Sequence, residues 1–319
     1  MPAGAWTDAG ACAALCQLIL DDRRGGGPCS GVRRRPALPP ALFSEHVAPF
    51  LRFEAPLPGM LYVLGGRNRR GGPLDQVEML DTWHGAWVPC PPMPRRRAGS
   101  AAAALPDGRL LVVGGYDERG IVDGLLADCD TYDPAQERWT RGGAAPLLRA
   151  RWGHGCAAMG GRVYAVGGCS LTAAARPQGP RESPRPMETL RSCEVYDPAK
   201  DRWEPCGALA VPRSGSRVVV LGERHIAAVG GCDDVFGRAE TQASIEVYSA
   251  DTGSWALLDT RLALPRTSAG VAVMDSRCLF IAGGAPSHAS AEVCRLPVPL
   301  GRREEGGAAE REGPAGGAA

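Results

Sequence analysis

With 319 residues, of which 44% are hydrophobic and 22% charged, the chain has the composition of an ordinary globular protein, which excludes fibrous and wholly disordered classes. Its 36 Lys and Arg residues nearly balance its 35 Asp and Glu residues, so no overall field favours nucleic acid or an anionic membrane. The 43 glycines and 28 prolines exceed ordinary usage of about 7% and 5% and indicate many turns, flexible ends or both.

The first 50 residues carry no repeated feature. Residues 11–20 form an apolar stretch about half as long as a membrane span, and it follows Asp8 without the basic leader of a secretory signal. This stretch looks helical, residues 25–35 form a Gly, Pro and Arg linker, and residues 39–53 could form another short helix. We therefore predict a short helical or irregular segment over residues 1–50 of a cytoplasmic protein, in which most of the 12 cysteines are reduced and buried.

Beyond this segment, a short apolar run ends in a pair of glycines five times. Such bounded apolar runs are typical of buried strands. An alternating segment of the Glu-Val-Tyr type follows each pair, and its period of two predicts a second strand. The pairs are Gly65-Gly66, Gly114-Gly115, Gly167-Gly168, Gly230-Gly231 and Gly283-Gly284.

Two further features recur in phase with the glycine pairs. Four alternating segments lead to a tryptophan in another short strand, at Trp87, Trp139, Trp203 and Trp255. A turn with proline follows, and then an arginine before small residues, at Arg97, Arg151, Arg213 and Arg266. Small side chains suit a crowded innermost strand. One glycine pair alone would carry almost no information, but these features together define a repeat.

The order of small-residue strand, apolar strand with Gly-Gly, Glu-Val-Tyr strand and tryptophan strand resembles the kelch repeat, whose period is near 50 residues. The resemblance implies an all-β fold, a kelch β-propeller of four-stranded blades over residues 51–300. Five repeats are recognisable, and since kelch propellers usually close with six blades, both five and six blades stay open. Residues 301–319 contain little to bury and are predicted to be a disordered tail.

The two ends of the repeat region depart from the pattern. No Arg-and-small strand precedes Met60, and no tryptophan strand follows Leu296. Residues 51–58 could pair with the last repeat, so that the two termini share the closure; alternatively the chain is a shortened form with an exposed edge. Residues 173–186, rich in Pro and Arg, are predicted to be a loop insertion.

No motif predicts catalysis, so we expect no enzyme activity, no catalytic residue, no cofactor and no metal. Cys12 and Cys16 lack a second pair or a nearby histidine to complete a metal site, and neither a phosphate loop nor a nucleophile elbow is present. A propeller oxidase or sugar isomerase is therefore a weaker alternative, since copper needs converging imidazoles. The dispersed histidines are His46, His84, His154, His225 and His288.

The arginine before each inner strand is predicted to ring one mouth of the propeller channel. A guanidinium group pairs bidentately with carboxylate or phosphate, so these residues could bind a protein or an acidic peptide; the alternative is that they cap or pair with neighbouring blades. By resemblance to kelch domains of cullin-ligase adaptors, the residue directly after Gly-Gly also contacts a partner. The predicted binding residues are Arg97, Arg151, Arg213, Arg266, Tyr116 and Arg67.

The predicted function is protein binding through loops at one propeller mouth, with no nucleic-acid or membrane partner. The resemblance implies service as a substrate-recognition subunit of a cullin-type E3 ubiquitin ligase, and the alternative is a kelch protein that binds actin or the cytoskeleton. Ligase adaptors of this type carry a BTB domain and a helical domain before the propeller, which 50 residues cannot contain. The chain is then a shortened form or one of the propeller-only kelch proteins.

Overall fold

The computed structural model describes residues 60–68, 70–81, 86–172, 187–233, 241–275, 278–286 and 290–297. The predicted helices before residue 54, the closing segment 51–58, the insertion 173–186 and the tail 301–319 lie outside these residues. So do Cys12, Cys16, His46, His84 and His288.

Five antiparallel sheets follow one another along the described chain, and we number them blades 1 to 5. Blade 1 contains β1 (Met60–Leu64), β2 (Val77–Asp81) and β3 (Ala86–Cys90). Blade 2 contains β4 (Ala101–Ala104), β5 (Leu110–Val113), β6 (Cys129–Asp133) and β7 (Arg138–Ala144), with the helical turn α1 (Gly120–Asp123) before β6. Blade 3 contains β8 (Gly155–Met159), β9 (Arg162–Val166), β12 (Cys193–Asp197) and β13 (Arg202–Cys206).

The remaining strands form one small sheet and two blades. The hairpin of β10 (Cys169–Leu171) and β11 (Met187–Thr189) extends from blade 3. Blade 4 contains β14 (Arg217–Leu221), β15 (His225–Val229), β16 (Ser244–Ser249) and β17 (Ser254–Arg261). Blade 5 contains β18 (Gly270–Asp275), β19 (Cys278–Ala282) and β20 (Ala291–Arg295).

Each strand pairs with the next strand of its blade, so every blade is a meander. The prediction of an all-β kelch-type propeller is confirmed, with five blades in the described part of the chain. Blades 2, 3 and 4 have the predicted four strands. Blade 1 has no inner strand and blade 5 no outer strand among the described residues, which matches the two departures in the sequence.

The hydrophobic core lies between neighbouring blades. Leu111 of blade 2 and Trp203 of blade 3 belong to one buried cluster. The rings of Tyr164 in blade 3 and Tyr248 in blade 4 lie 5.3 Å apart in the next cluster, and a third cluster joins blades 4 and 5. Burial of apolar surface therefore stabilises the joints between sheets as much as the sheets themselves.

In blades 2, 3 and 4, the tryptophan and tyrosine of the repeat are cross-strand partners. Tyr132 pairs with Trp139, Tyr196 with Trp203 and Tyr248 with Trp255, at centroid separations of 4.9, 5.3 and 5.5 Å. The indole of Trp139 donates to the carbonyl of Pro91, 2.8 Å away, and that of Trp203 donates to the carbonyl of Ala145 at 2.9 Å. Each of these acceptors follows the outer strand of the preceding blade, so the indole links two blades.

The glycine pairs also join neighbouring blades. The N–H of the second glycine donates to the carbonyl of the arginine that precedes the next inner strand, from Gly115 to Arg151 at 2.8 Å and from Gly231 to Arg266 at 2.7 Å. Nearer the channel, the N–H of Gly153 donates to Gly99, that of Gly215 to Gly153 and that of Ser268 to Gly215, at 2.7–2.8 Å. Main-chain hydrogen bonds thus connect blades 2 to 5 around the channel.

Candidate functional site

The loop face, as defined here, consists of the loops after the glycine pairs and of the segments that join one blade to the next. In blade 2 these are residues 114–128 and 145–154. Successive strands of a meander run in opposite directions, so the ends of the second and fourth strands lie at one edge of the sheet. All six residues predicted to bind a partner belong to this face.

The four arginines before the inner strands are buried within their own blades. Arg97 pairs with Asp130 at 2.7 Å and Arg213 with Glu246 at 3.0 Å, and these four side chains have no exposed surface. Arg266 pairs with Glu292 at 2.9 Å and Arg151 pairs with Glu194. In every case the carboxylate comes from the third strand of the same blade.

Backbone carbonyls accept further guanidinium hydrogens. Arg213 donates to the carbonyl of Gly230 at 2.7 Å, to that of Ser244 at 2.9 Å and to the Ser244 hydroxyl at 2.8 Å. Arg97, Arg151 and Arg266 repeat this arrangement. Burial lowers the pKa of Arg213, and the charge of Glu246 opposes that shift.

This geometry corresponds to the alternative that the sequence left open, in which the arginines pair within the propeller. A guanidinium group without exposed surface cannot contact a partner, so we revise the assignment of Arg97, Arg151, Arg213 and Arg266 from partner contact to support of the blade. Their side chains turn into the sheets, where they pair with carboxylates of the third strands.

Arg67 and Tyr116 meet at the joint between blades 1 and 2. The guanidinium carbon of Arg67 lies 5.1 Å from the centroid of the Tyr116 ring, within the range of a cation–π contact. The ring of Tyr116 is buried and packs edge-on against Trp152 of the next blade, with centroids 5.7 Å apart. Of the six predicted residues, Arg67 alone is exposed, and its guanidinium group packs on the ring of Tyr116.

A charged cleft lies between blades 1 and 2, and its wall includes the loop that follows Tyr116. Its volume is about 480 Å³, and it is open to solvent. None of its residues was predicted to bind a partner, because they come from separate segments of the chain. The cleft is lined by Asp75, Pro94, Arg95, Arg96, Asp117, Glu118, Arg119 and Arg141.

Ion pairs fix part of the cleft wall. Arg95 pairs with Asp128 at 2.7 Å and Arg96 with Asp75 at 3.6 Å. Hydrogen bonds from Arg119 lower the pKa of Asp117, which keeps that carboxylate ionised. Within the described part of the chain, Arg141 forms no ion pair.

Four arginines and three carboxylates line this cleft, and the exposed guanidinium groups of Arg96, Arg119 and Arg141 can pair with carboxylates of a ligand.

Comparison with known proteins supports the resemblance seen in the repeats. Residues 55–284 match the family model described as the KLHDC2/KLHL20/DRC7 Kelch-repeats domain, which covers more than half of the chain. The chain belongs to the kelch-repeat family. The solved structure of YjhT aligns with this kelch chain at a TM-score of 0.55 and 18% identity, over 70% of this chain and 69% of that one, and this likeness concerns the fold alone.

The kelch chain is also similar to several curated proteins. Kelch-like protein 25 of Xenopus tropicalis is 28% identical over 74% of this chain, and Kelch-like protein 34 of Homo sapiens is 32% identical over 70%. An F-box/kelch-repeat protein of Arabidopsis thaliana is 29% identical over 64% of the chain and 49% of its own length. The alignments cover 36% and 33% of the two kelch-like proteins, so the kelch chain spans about a third of their length.

The described residues of the kelch propeller hold no group of three or more His, Cys, Asp or Glu side chains that could bind a metal ion. None of their helices has the length and apolar character that crossing a bilayer requires.

Acid is expected to destabilise the kelch propeller through His154, which lies just before β8. Burial, with a smaller contribution from the charge of Arg151, lowers the pKa of His154 from 6.5 to about 3. The unfolded chain therefore binds a proton at this residue below about pH 6.5, where the folded chain does not. As the pH falls from 6 to 4, we expect proton binding at His154 in the unfolded chain to lower the free energy of unfolding by about 1.4 kcal/mol for each pH unit.

Urea unfolding of the wild type and of His154→Asn at pH 7.5, 6, 5 and 4 measures this contribution. The variant is less stable at pH 7.5, and its disadvantage should shrink as the pH falls, because asparagine binds no proton. Parallel stability curves for the two proteins would contradict the assignment of a buried neutral His154.

Proposed function

We propose that this kelch propeller is a non-catalytic binding protein that holds an acidic segment of a partner protein in the charged cleft between blades 1 and 2. The observation that carries the proposal is the set of exposed arginines that line the cleft, Arg96, Arg119 and Arg141. Their guanidinium groups point outward, in contrast to the buried arginines of the inner strands. Membership of the kelch family supports a role in protein binding.

The rigid surroundings of the cleft favour recognition of a defined segment. Tyr116 and Trp152 pack edge-on beneath Arg67, and ion pairs hold Arg95, Arg96 and Arg119. Side chains held in this way lose less conformational freedom when a partner binds. An acidic partner would add carboxylates opposite Arg141, so binding should weaken as salt screens the charges.

The finer proposal is that the chain serves a cullin-type E3 ubiquitin ligase as its substrate-recognition subunit, in the cytoplasm. Its support is the family resemblance and the similarity to kelch-like and F-box/kelch-repeat proteins. In this role the cleft would hold the substrate, and the link to the ligase would come from outside the described propeller. The cytoskeletal alternative from the sequence has no separate observation in its favour.

Charge reversal of the cleft arginines tests the proposal. The variant Arg96→Glu, Arg119→Glu and Arg141→Glu is expected to lose at least about tenfold of its affinity for the partner, because each guanidinium becomes a like charge. The control reverses Arg162, Arg202 and Arg224, which are exposed at the opposite edge of the blades and change the net charge equally. Circular dichroism must show that both variants fold.

Partners captured from cells by the wild type are identified by mass spectrometry, and the purified partner is then titrated against all three proteins. Loss of affinity in the variant with the three reversed cleft arginines, and not in the control variant, supports the cleft as the binding site. Equal loss in both variants, or in neither, would show that the partner binds elsewhere or through non-specific charge. A cullin among the captured proteins supports the ligase role, and co-sedimentation with actin filaments would favour the cytoskeletal alternative.

A further inference from the structure

Two cysteines face each other across the outer strands of blade 3. Cys193 begins β12 and Cys206 ends β13, and the two residues are direct partners in the antiparallel register. Both are free thiols; Cys193 is buried and Cys206 is partly exposed. Side chains of directly opposed residues lie on the same face of a sheet, so the two sulfur atoms are neighbours.

The backbone fixes the spacing of this pair. The adjacent pair of Glu194 and Pro205 cannot exchange two hydrogen bonds, because proline has no N–H. Since the two kinds of pair alternate, Cys193 and Cys206 occupy a hydrogen-bonded position, for which the Cα atoms are about 5.5 Å apart. That spacing lies inside the range of about 4.4–6.8 Å found for disulfides, and a bridge requires the Cβ atoms to close from about 5.5 Å to about 4.5 Å or less.

We infer that Cys193 and Cys206 form a reversible disulfide, so that blade 3 carries a redox-controlled cross-link at the loop face. The same two positions in the other blades show why blade 3 is special. Blade 1 has Cys90 opposite Val77, and blade 2 has Cys129 opposite Ala144. Blade 4 has Ser244 opposite Arg261, so among the described pairs of this position only blade 3 has both thiols.

The two thiols also interact chemically. Contact with the Cys206 thiol, opposed by burial, lowers the pKa of the Cys193 thiol, and contact with Cys193 together with burial raises that of Cys206. Cys193 is therefore the first of the two thiols to ionise. A thiolate is the nucleophile in thiol–disulfide exchange, so the arrangement favours the reaction.

The oxidant required is a small disulfide such as glutathione disulfide. The partly exposed Cys206 attacks one of its sulfurs as a thiolate after its proton has passed to Cys193, and the glutathione thiolate that leaves takes that proton from Cys193. The Cys193 thiolate then attacks the Cys206 sulfur of the mixed disulfide, which forms the Cys193–Cys206 bond and releases the second glutathione. The protein loses two electrons and two protons, and both are accounted for in two molecules of glutathione.

The cross-link would act on the loop face because of its neighbours. Glu194, next to Cys193, binds Arg151, and the carbonyl of Ser192 accepts a hydrogen bond from the same arginine at 2.9 Å. Beyond Cys206, the N–H of Leu209 donates to the carbonyl of Arg191 at 2.9 Å. A disulfide between Cys193 and Cys206 would join the start of β12 to the end of β13, and it would restrict the loops next to these two strand ends.

Peptide mapping tests the inference directly. Trypsin cleaves after Arg191, Lys200, Arg202 and Arg213, so Cys193 and Cys206 fall in separate peptides, each with one cysteine. The folded chain is incubated with glutathione disulfide, alkylated and digested without reduction. We expect peptides 192–200 and 203–213 joined by a disulfide, at least tenfold more abundant than any other cysteine pairing, and separated again by dithiothreitol.

The same incubation in urea is the control for the role of the fold, since the unfolded chain should give mixed pairings. A similar mixture from the folded chain, or single glutathione adducts on Cys206 without the cross-link, would overturn the inference. A second readout uses Cys206→Ser. Oxidation should raise the melting temperature of the wild type by at least about 4 °C and leave that of the variant unchanged.

Discussion

Replacing Arg213 with alanine is expected to lower the free energy of unfolding by about 3–5 kcal/mol. The change leaves the fully buried carboxylate of Glu246 without its counter-ion and the carbonyls of Gly230 and Ser244 without their donor. An unpaired buried charge is costly because the interior cannot replace the water that solvates it. Urea unfolding followed by circular dichroism measures the loss.

Arg202→Ala provides the matched control. Arg202 pairs with Glu204 at the surface, with the arginine side chain 61% exposed, so its loss should change the stability by less than about 1 kcal/mol. The double variant Arg213→Met and Glu246→Gln should recover part of the stability, since no charge is then left buried. A decrease in the free energy of unfolding below about 1 kcal/mol for Arg213→Ala would contradict the buried pairing of this guanidinium group and would return Arg213 to the candidates for partner contact.

Gly230→Ala is expected to cost about 3 kcal/mol or more. Gly230 has a φ of +61°, and a Cβ atom built there would lie 2.3 Å from the carbonyl oxygen of Arg266. That oxygen accepts the N–H of Gly231 at 2.7 Å, so relief of the clash would open the joint between blades 4 and 5. The loss combines left-handed backbone strain with steric overlap against a backbone that cannot yield.

Gly222→Ala separates these two contributions. Gly222 has the same φ of +61°, but its Cβ position has no heavy atom within 4 Å. Its replacement should therefore cost only about 1–2 kcal/mol, the penalty of the left-handed conformation. Equal losses at Gly222 and Gly230 in urea unfolding would contradict the close approach of the blades.

The propeller itself could be predicted from the sequence because each blade repeats its signals. The apolar run, the glycine pair and the tryptophan depend on contacts that recur in blades 2, 3 and 4, such as Tyr196 against Trp203. The closure between the ends could not be settled, and residues 51–58 lie outside the described part of the chain.

The orientation of the arginines could have been predicted from a second periodic signal. An acidic residue recurs inside the third strand of each blade that has the arginine, at Asp130, Glu194, Glu246 and Glu292. A charge that recurs in a buried strand needs a buried counter-ion, and the arginine is the matching group. The cleft was not predictable in this way, because its position depends on how loops of two blades approach each other in space.

The joints between blades have one further consequence. The glycine N–H groups of one blade bond to main-chain carbonyls of the next, so this connection does not depend on which side chains the neighbouring loops carry. We expect blades built in this manner to behave as interchangeable modules: one can be duplicated or exchanged while the joint is preserved, provided that its glycine pair, its arginine and its apolar contacts with the neighbouring blades are kept. The loops are then free to diverge, and a single scaffold can acquire new binding surfaces without being redesigned.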